Sequence, residues 1–265
     1  MRDVDVAKHW NDNADQWTRD VRAGFDVYRD KFTFPAFLDA LPEIDGLDVI
    51  DFGCGEGSNT RAFARLGARV TGIDLSSRMI EHAREVEEAD PLGIKYRLAS
   101  YSEHCGMPDA SFDAVLSTMA LMDGPDFPGA MREAYRLLRP GGFMLFSVLH
   151  PCFITPGLGW ETDAEGRTSG LRVARYFDRS TFTERWRFGN RPKDEEVLPF
   201  AVPRFPRTMG DYLNAVASAG FVITNIGEPQ PSPAACEAVP RFSRWRDLGG
   251  FLLLVTATRP GSHPR

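Results

Sequence analysis

The residues whose types and spacing could do chemistry lie mostly in one stretch. Gly53, Gly55 and Gly57 alternate with other residues in Val49-Ile-Asp-Phe-Gly-Cys-Gly-Glu-Gly57, directly after a short apolar run. Without Cβ atoms they let the chain turn tightly and approach a ligand closely, with Cys54 held between them. Asp51 stands two residues before the first glycine, and Asp74 closes Arg69-Val-Thr-Gly-Ile-Asp74. A carboxylate at the end of the second strand of a βαβ unit is where a ribose diol is held. The spacing is G-x-G-x-G, whereas dinucleotide sites want G-x-G-x-x-G with the pyrophosphate on a helix N-terminus. An acid beside such a loop repels a pyrophosphate and suits a ligand carrying cationic groups.

A second candidate is His150, which follows the apolar run Phe143–Leu149 directly. A histidine at a strand end beside a pocket has the right affinity for a proton to serve as general base toward a phenol or an acidic carbon. It could equally be a structural histidine bonding a neighbouring segment. His104 falls in a surface loop, and Cys152, lacking a paired base, is a packing residue.

These residues need elements to position them. Ala7, Trp10, Ala14, Trp17 and Val21 repeat at helical spacing within residues 3–22, giving an amphipathic helix with two tryptophans on one stripe. Asp26-Val-Tyr-Arg29 leads into a second helix, and Tyr28 or Arg29 could close on a ligand carboxylate. Further on, short apolar strands alternate with helices: a strand into Asp51, a strand into Asp74, Ile94–Ala99, Ala114–Leu121 and Phe143–Leu149. Ser76 is placed to cap the helix that carries Met79. Such alternation specifies an α/β fold with a parallel, doubly wound sheet. Ligands then sit outside the C-terminal strand ends, where Ser100, Tyr101, Ser102, Met119, Asp123 and His150 also fall.

Residues 151–207 break the alternation. Alternating segments at Arg175–Phe177, Thr181–Phe188 and Val197–Val202 suggest an antiparallel hairpin or small sheet over the pocket mouth. Thr208 then caps a helix, and Phe221–Ile226 and Phe251–Thr258 complete the core as strands six and seven. The expected organisation is an N-terminal helical lid (1–42), a core (43–150), an inserted cap (151–207) and the C-terminal part of the core (208–265).

The glycine loop resembles motif I of the class I S-adenosylmethionine (SAM)-dependent methyltransferases, an acid-x-G-x-G-x-G pattern. Pro108-Asp-Ala-Ser-Phe-Asp-Ala-Val115 and Leu137-Leu-Arg-Pro-Gly-Gly-Phe143 are similar to two further stretches of that family, and the likeness is greatest to its ubiquinone/menaquinone-biosynthesis branch. The resemblance covers residues 45–150. It implies a Rossmann-like seven-stranded sheet, mostly parallel with an antiparallel edge strand. It implies SAM as cofactor, released as S-adenosylhomocysteine. Asp51 and the loop would hold the methionine end, Asp74 the ribose, and Leu75, Ser76 and Met79 the adenine. Ser100-Tyr101 replaces an Asp-Ala pair that often touches adenine in the family, so that contact would pass to Ser102 or to a backbone group.

Composition narrows the acceptor. Hydrophobic residues make up 43% and charged residues 26% of the 265, ordinary for a globular protein. The four cysteines are scattered, which argues against disulfides or a metal site and favours a reducing cytoplasm. No apolar run is long enough for a membrane span. The net charge of −6 disfavours nucleic acid. Residues 167–207 nevertheless hold ten Arg and Lys against five Asp and Glu, +5, leaving −11 elsewhere. That segment is either a solvated face or an attractor for an anion. The methyltransferase motif selecting nucleobase or glutamine amines is absent, with Met122-Asp-Gly-Pro125 in its place. The expected acceptor is therefore a small molecule, aromatic or apolar and possibly anionic, methylated on O, N or C. It would be met by Trp10, Trp17, Asp123, Tyr176 and Trp186, in a monomer or homodimer. The alternatives are a SAM-binding protein without methyl transfer and, less well supported, a nicotinamide oxidoreductase.

Overall fold

Period-two alternation explains how the first strand both builds the core and reaches the site. Ile50 and Phe52 face one side of the sheet, Val49 and Asp51 the other, and all four are buried. The structure is a computed structural model describing residues 1–192 and 197–261. The expected cap and C-terminal ranges include residues 193–196 and 262–265, which lie outside the described residues.

Helix α1 spans Asp3–Arg22. The second helix begins as a π-helical turn, Arg29–Thr33, and continues as α2, Phe34–Ala40. Strand β1 (Asp48–Phe52), α3 (Ser58–Arg65), β2 (Arg69–Asp74), α4 (Ser77–Ala89) and β3 (Lys95–Leu98) follow. Then come β4 (Phe112–Thr118), a 3-10 turn at Leu121–Asp123, α5 (Phe127–Leu137) and β5 (Leu138–Leu149). Strand β5 begins five residues before the apolar run that announces it, because Phe112 pairs with Leu138 and a bulge absorbs Arg139-Pro-Gly-Gly142 before Ala114 meets Phe143.

The inserted segment forms two hairpins, β6 (Gly159–Thr162) with β7 (Thr168–Arg172) and β8 (Phe182–Trp186) with β9 (Phe200–Arg204). The expected strand at Arg175–Phe177 is instead a turn. Arg175 takes φ +60° and its guanidinium reaches forward to Asp178. The chain ends in α6 (Met209–Ser218), β10 (Val222–Gly227), α7 (Pro233–Ala238), α8 (Ser243–Asp247) and β11 (Leu252–Thr258).

The main sheet has seven strands in the order β10-β11-β5-β4-β1-β2-β3. Every pairing is parallel except those of β11, which runs against both β5 and β10. The reversed strand is thus one position in from the edge. On one face Phe127, Met131, Tyr212 and Val216 of α5 and α6 pack on Phe52, Val115 and Phe146. On the other, Phe37, Phe63, Ile80 and Phe242 pack on Val49, Val70 and Leu145.

A third apolar cluster stands apart from the sheet. Val21 and Trp17 of α1 meet Trp186, Phe188, Phe200 and Val202 of the second hairpin. Asn13 fixes the register there: its amide donates to Ala201 O (3.1 Å) and accepts from Ala201 N–H (3.2 Å). The carboxylate of Asp15 in turn holds Arg78 Nε (2.6 Å) and His82 Nε2 (2.7 Å) of α4. Helix α1 therefore bridges the second hairpin and α4, which follows β2. No helix among the described residues is long and apolar enough to cross a membrane.

Candidate active site

The C-terminal ends of β1, β2 and β4, roofed by α1 and the second hairpin, enclose a cavity of about 550 Å³. That lies within the ~300–1,000 Å³ range of small-molecule sites. The glycine loop forms its floor. Gly53 has φ +73° and an added Cβ would lie 2.4 Å from Ala120 Cβ, so here the loop after β1 and the loop after β4 touch. Gly55 has φ +55°, and a Cβ there would meet nothing within 4 Å: its open side is the cavity. Gly57 is spent on packing, as the N-cap of α3 against Tyr96.

Asp74 stands at the cavity wall and accepts the N–H of Gly55 on Oδ2 (3.0 Å) and that of Ser76 on Oδ1 (2.8 Å). Burial pushes its carboxyl above the ordinary value, and the backbone N–H groups of Ser76, Gly55 and Leu75 oppose that rise. Cys54, Leu75, Met79, Tyr101 and Met119 continue the wall. Tyr101 stacks on Phe52 at 5.9 Å and donates to Ala120 O (3.2 Å). Tyr28 and Arg29 line the cavity from the segment before α2. Tyr28 Oη accepts from Trp245 Nε1 (3.2 Å), and Arg29 is held by Asp30. Trp10, Trp17, Trp186 and Asp123 line the remaining side.

Besides Gly57, six expected site residues lie elsewhere, each for a physical reason. Asp51 follows the strand parity of Val49 and points under the loop, where Thr60 Oγ1 donates to its Oδ2 (2.7 Å). Complete burial, and behind it the Asp74 charge, push Asp51 up to about 7 against that hydrogen bond. Ser76 is consumed as the N-cap of α4, accepting Met79 N–H and donating to Asn11 (2.7 Å). Ser100 and Ser102 both donate to Asp3 Oδ2 of α1 (2.5 and 2.9 Å), so they anchor the helix rather than the cavity wall. The Tyr176 hydroxyl accepts Met209 N–H (3.0 Å), outside the cavity. His150 is the correction with most consequence. Its Nδ1 accepts Cys152 N–H (3.2 Å), its Nε2 meets Glu228 Oε1 (2.6 Å), and its ring lies against Phe153. It is 1% exposed and does not line the cavity, and it ties the start of the cap to the connection after β10.

The acceptor-side polar groups that sequence reasoning missed are Glu184, Arg187, Arg204 and Arg241. Strand parity held a signal for two of them. Arg204 shares a face with the buried Phe200 and Val202, and Glu184 with Trp186. Arg204 Nη1 donates to Asp123 Oδ1 (2.5 Å) and its Nε to Glu184 Oε2 (2.7 Å). Arg187 and Arg241 contact no carboxylate among the described residues. Arg241 donates to Asn190 Oδ1 (3.0 Å) and lies over the Tyr28 ring.

A glycine loop after β1, a carboxylate after β2 and a cavity across the switch point define a nucleoside-binding α/β fold. Comparison with known proteins narrows this. A family model described as a methyltransferase domain matches residues 50–146. An S-adenosylmethionine dependent methyltransferase from Mesorhizobium loti, of known structure, is 33% identical with a TM-score of 0.69, over 85% of this chain and 96% of that one. The ubiquinone biosynthesis O-methyltransferase of Methylocella silvestris is 42% identical over 107 residues, 40% of this chain and 41% of that protein. The malonyl-[acyl-carrier protein] O-methyltransferase of Yersinia pestis is 39% identical over 104 residues, 39% of this chain and 37% of that protein. The chain thus matches about two fifths of the length of these curated relatives. It belongs to the SAM-dependent methyltransferases, and the nicotinamide alternative falls away.

Proposed function

We propose that the chain transfers a methyl group from SAM to an oxygen of a small, largely apolar or aromatic molecule. One observation carries the reading: a single cavity joins the Gly55–Asp74 end, suited to a nucleoside, to a tryptophan-lined end with its own polar groups. Gly55 faces open space and Asp74 is a half-buried carboxylate at the wall, so the residues present fit the cofactor. Asp74 would hold the ribose hydroxyls through charge-assisted hydrogen bonds. Leu75 and Met79 would flank the adenine, and Arg29 would take the carboxylate of the methionine end. When bound, SAM supplies an electrophilic methyl group, and the protein contributes orientation and a dry site.

The choice of oxygen rests on the two O-methyltransferase relatives. On the acceptor side, Trp17 and Trp186 meet edge to face at 5.6 Å and present apolar surface. Arg187 and Arg241 offer positive charge for a carboxylate or phosphate on the acceptor.

Calorimetry with SAM and S-adenosylhomocysteine tests the cofactor half. Absence of binding to either ends this reading. Release of S-adenosylhomocysteine across a panel of hydroxylated and amine-bearing aromatics tests the transfer. Turnover confined to the amines would overturn oxygen as the methylated atom.

A further inference from the structure

Removing His150 from the cavity leaves oxygen methylation without a base, and the structure offers another group. Asp123 sits in the turn Leu121–Asp123, immediately beyond the C-terminal end of the central strand β4. It is 5% exposed and lines the cavity. Its Oδ1 is held by Arg204 Nη1 (2.5 Å), while its Oδ2 receives no hydrogen bond from any described residue. This is a buried carboxylate with one oxygen fixed and the other uncommitted. A carboxylate oxygen at the cavity wall with no protein donor is free to accept a hydrogen bond from a ligand.

Its place relative to the cofactor end is set by contact. The loop carrying Asp123 touches the glycine loop at Ala120 and Gly53, and Gly124 packs against the Tyr101 hydroxyl. An acceptor between Trp17, Trp186 and the glycine loop therefore meets Asp123 on the nucleotide side of its compartment.

Resting on the reading above, we propose that Asp123 is the general base of the transfer and that the acceptor presents a weakly acidic hydroxyl, such as a phenol or enol, to its Oδ2. The acceptor O–H proton passes to Asp123 Oδ2. The acceptor oxygen lone pair forms the new C–O bond, the methyl C–S bond breaks with its electron pair going to sulfur, and the proton later leaves Asp123 to solvent. Arg204 fixes the carboxylate rotamer and is a positioning residue. The charged and titratable groups facing Asp123 are Arg204 from β9, Glu184 from β8, Arg207 from the segment before α6, Tyr212 from α6 and Tyr101 after β3. Burial outweighs the Arg204 charge and raises the carboxyl to about 6, which keeps it basic enough to accept a proton near neutrality.

The test uses the full chain saturated with S-adenosylhomocysteine and two probes of the same shape, 2-naphthol and 2-methylnaphthalene. A site built to accept a hydroxyl rejects the analogue lacking it. Calorimetry is expected to give at least tenfold tighter binding of the naphthol at pH 7.5, and that preference should fall as pH drops through about 6. Asp123→Asn should reduce it to less than threefold with S-adenosylhomocysteine affinity unchanged. Equal affinity for the two probes, no naphthol binding, or an undiminished preference in Asp123→Asn each overturns the proposal. The wild-type pH series carries the test by itself if the variant does not fold. Failure to bind S-adenosylhomocysteine at all would instead strike at the methyltransferase reading, so the two failures are distinguishable.

Discussion

Asp51 and Asp74, the acids that frame the glycine loop, do different work. Asp74 faces the cavity, and Asp74→Ala should weaken S-adenosylhomocysteine binding by about 2–3 kcal/mol, read by calorimetry, since a charged hydrogen-bond acceptor is lost. Asp51 is sealed beneath the loop with one carboxyl oxygen unpaired. Its folded-state pKa is raised from the ordinary 3.8 to about 7, so folding favours the protonated form. The stability this gives is full below pH 3.8 and is lost as pH rises through about 7. Asp51→Asn should therefore gain on the wild type between pH 5 and pH 8, reaching about 1–3 kcal/mol at pH 8 in denaturant melts of the ligand-free protein. The identity of both acids was legible in the sequence, but the direction of Asp51 depends on strand parity, and the parity of Val49 already held that information. His150 was harder. Its partner Glu228 lies 78 residues away on the connection before β11, and no local pattern announces that pairing.

At the scale of elements, the alternation of strands and helices sufficed for residues 45–150, because each βαβ unit is built from neighbours in sequence. The cap was legible only as an interruption. Its hairpins pair residues separated by loops of undetermined register, and the turn at Arg175–Phe177 mimicked a strand by composition. What orders the cap is α1, through Asn13 and Trp17. Trp17 touches Trp10, Trp186, Phe188 and Phe200. Trp17→Ala should lower unfolding free energy by about 2–4 kcal/mol, read by thermal melts, with the α1–hairpin interface exchanging its amide hydrogens first. Asn13→Ala removes two hydrogen bonds to Ala201 and should cost about 1–2 kcal/mol without changing S-adenosylhomocysteine affinity.

For the whole molecule, the uneven charge acquires a location. Arg187 and Arg204 bring part of the basic segment to the cavity wall and Arg241 joins them from the C-terminal part of the chain, while the residues outside that segment carry −11. Binding of 2-naphthoate should exceed that of 2-naphthamide in low salt and converge on it near 1 M, where the screening length is about 3 Å. Arg187→Ala should remove most of the difference, as calorimetry at two salt concentrations would show. The bond between Asn13 and Ala201 joins residues 188 apart, and that separation has a kinetic meaning. At synthesis rates of ~5–20 residues per second, α1 leaves the ribosome about 10–40 s before β9 exists to receive it. The sheet and its glycine loop are complete through β5 long before then, apart from β11 and β10. Closure of the acceptor compartment is thus among the last contacts a nascent chain makes, and this high-contact-order step is where folding should be slowest and two exposed tryptophans most open to wrong partners.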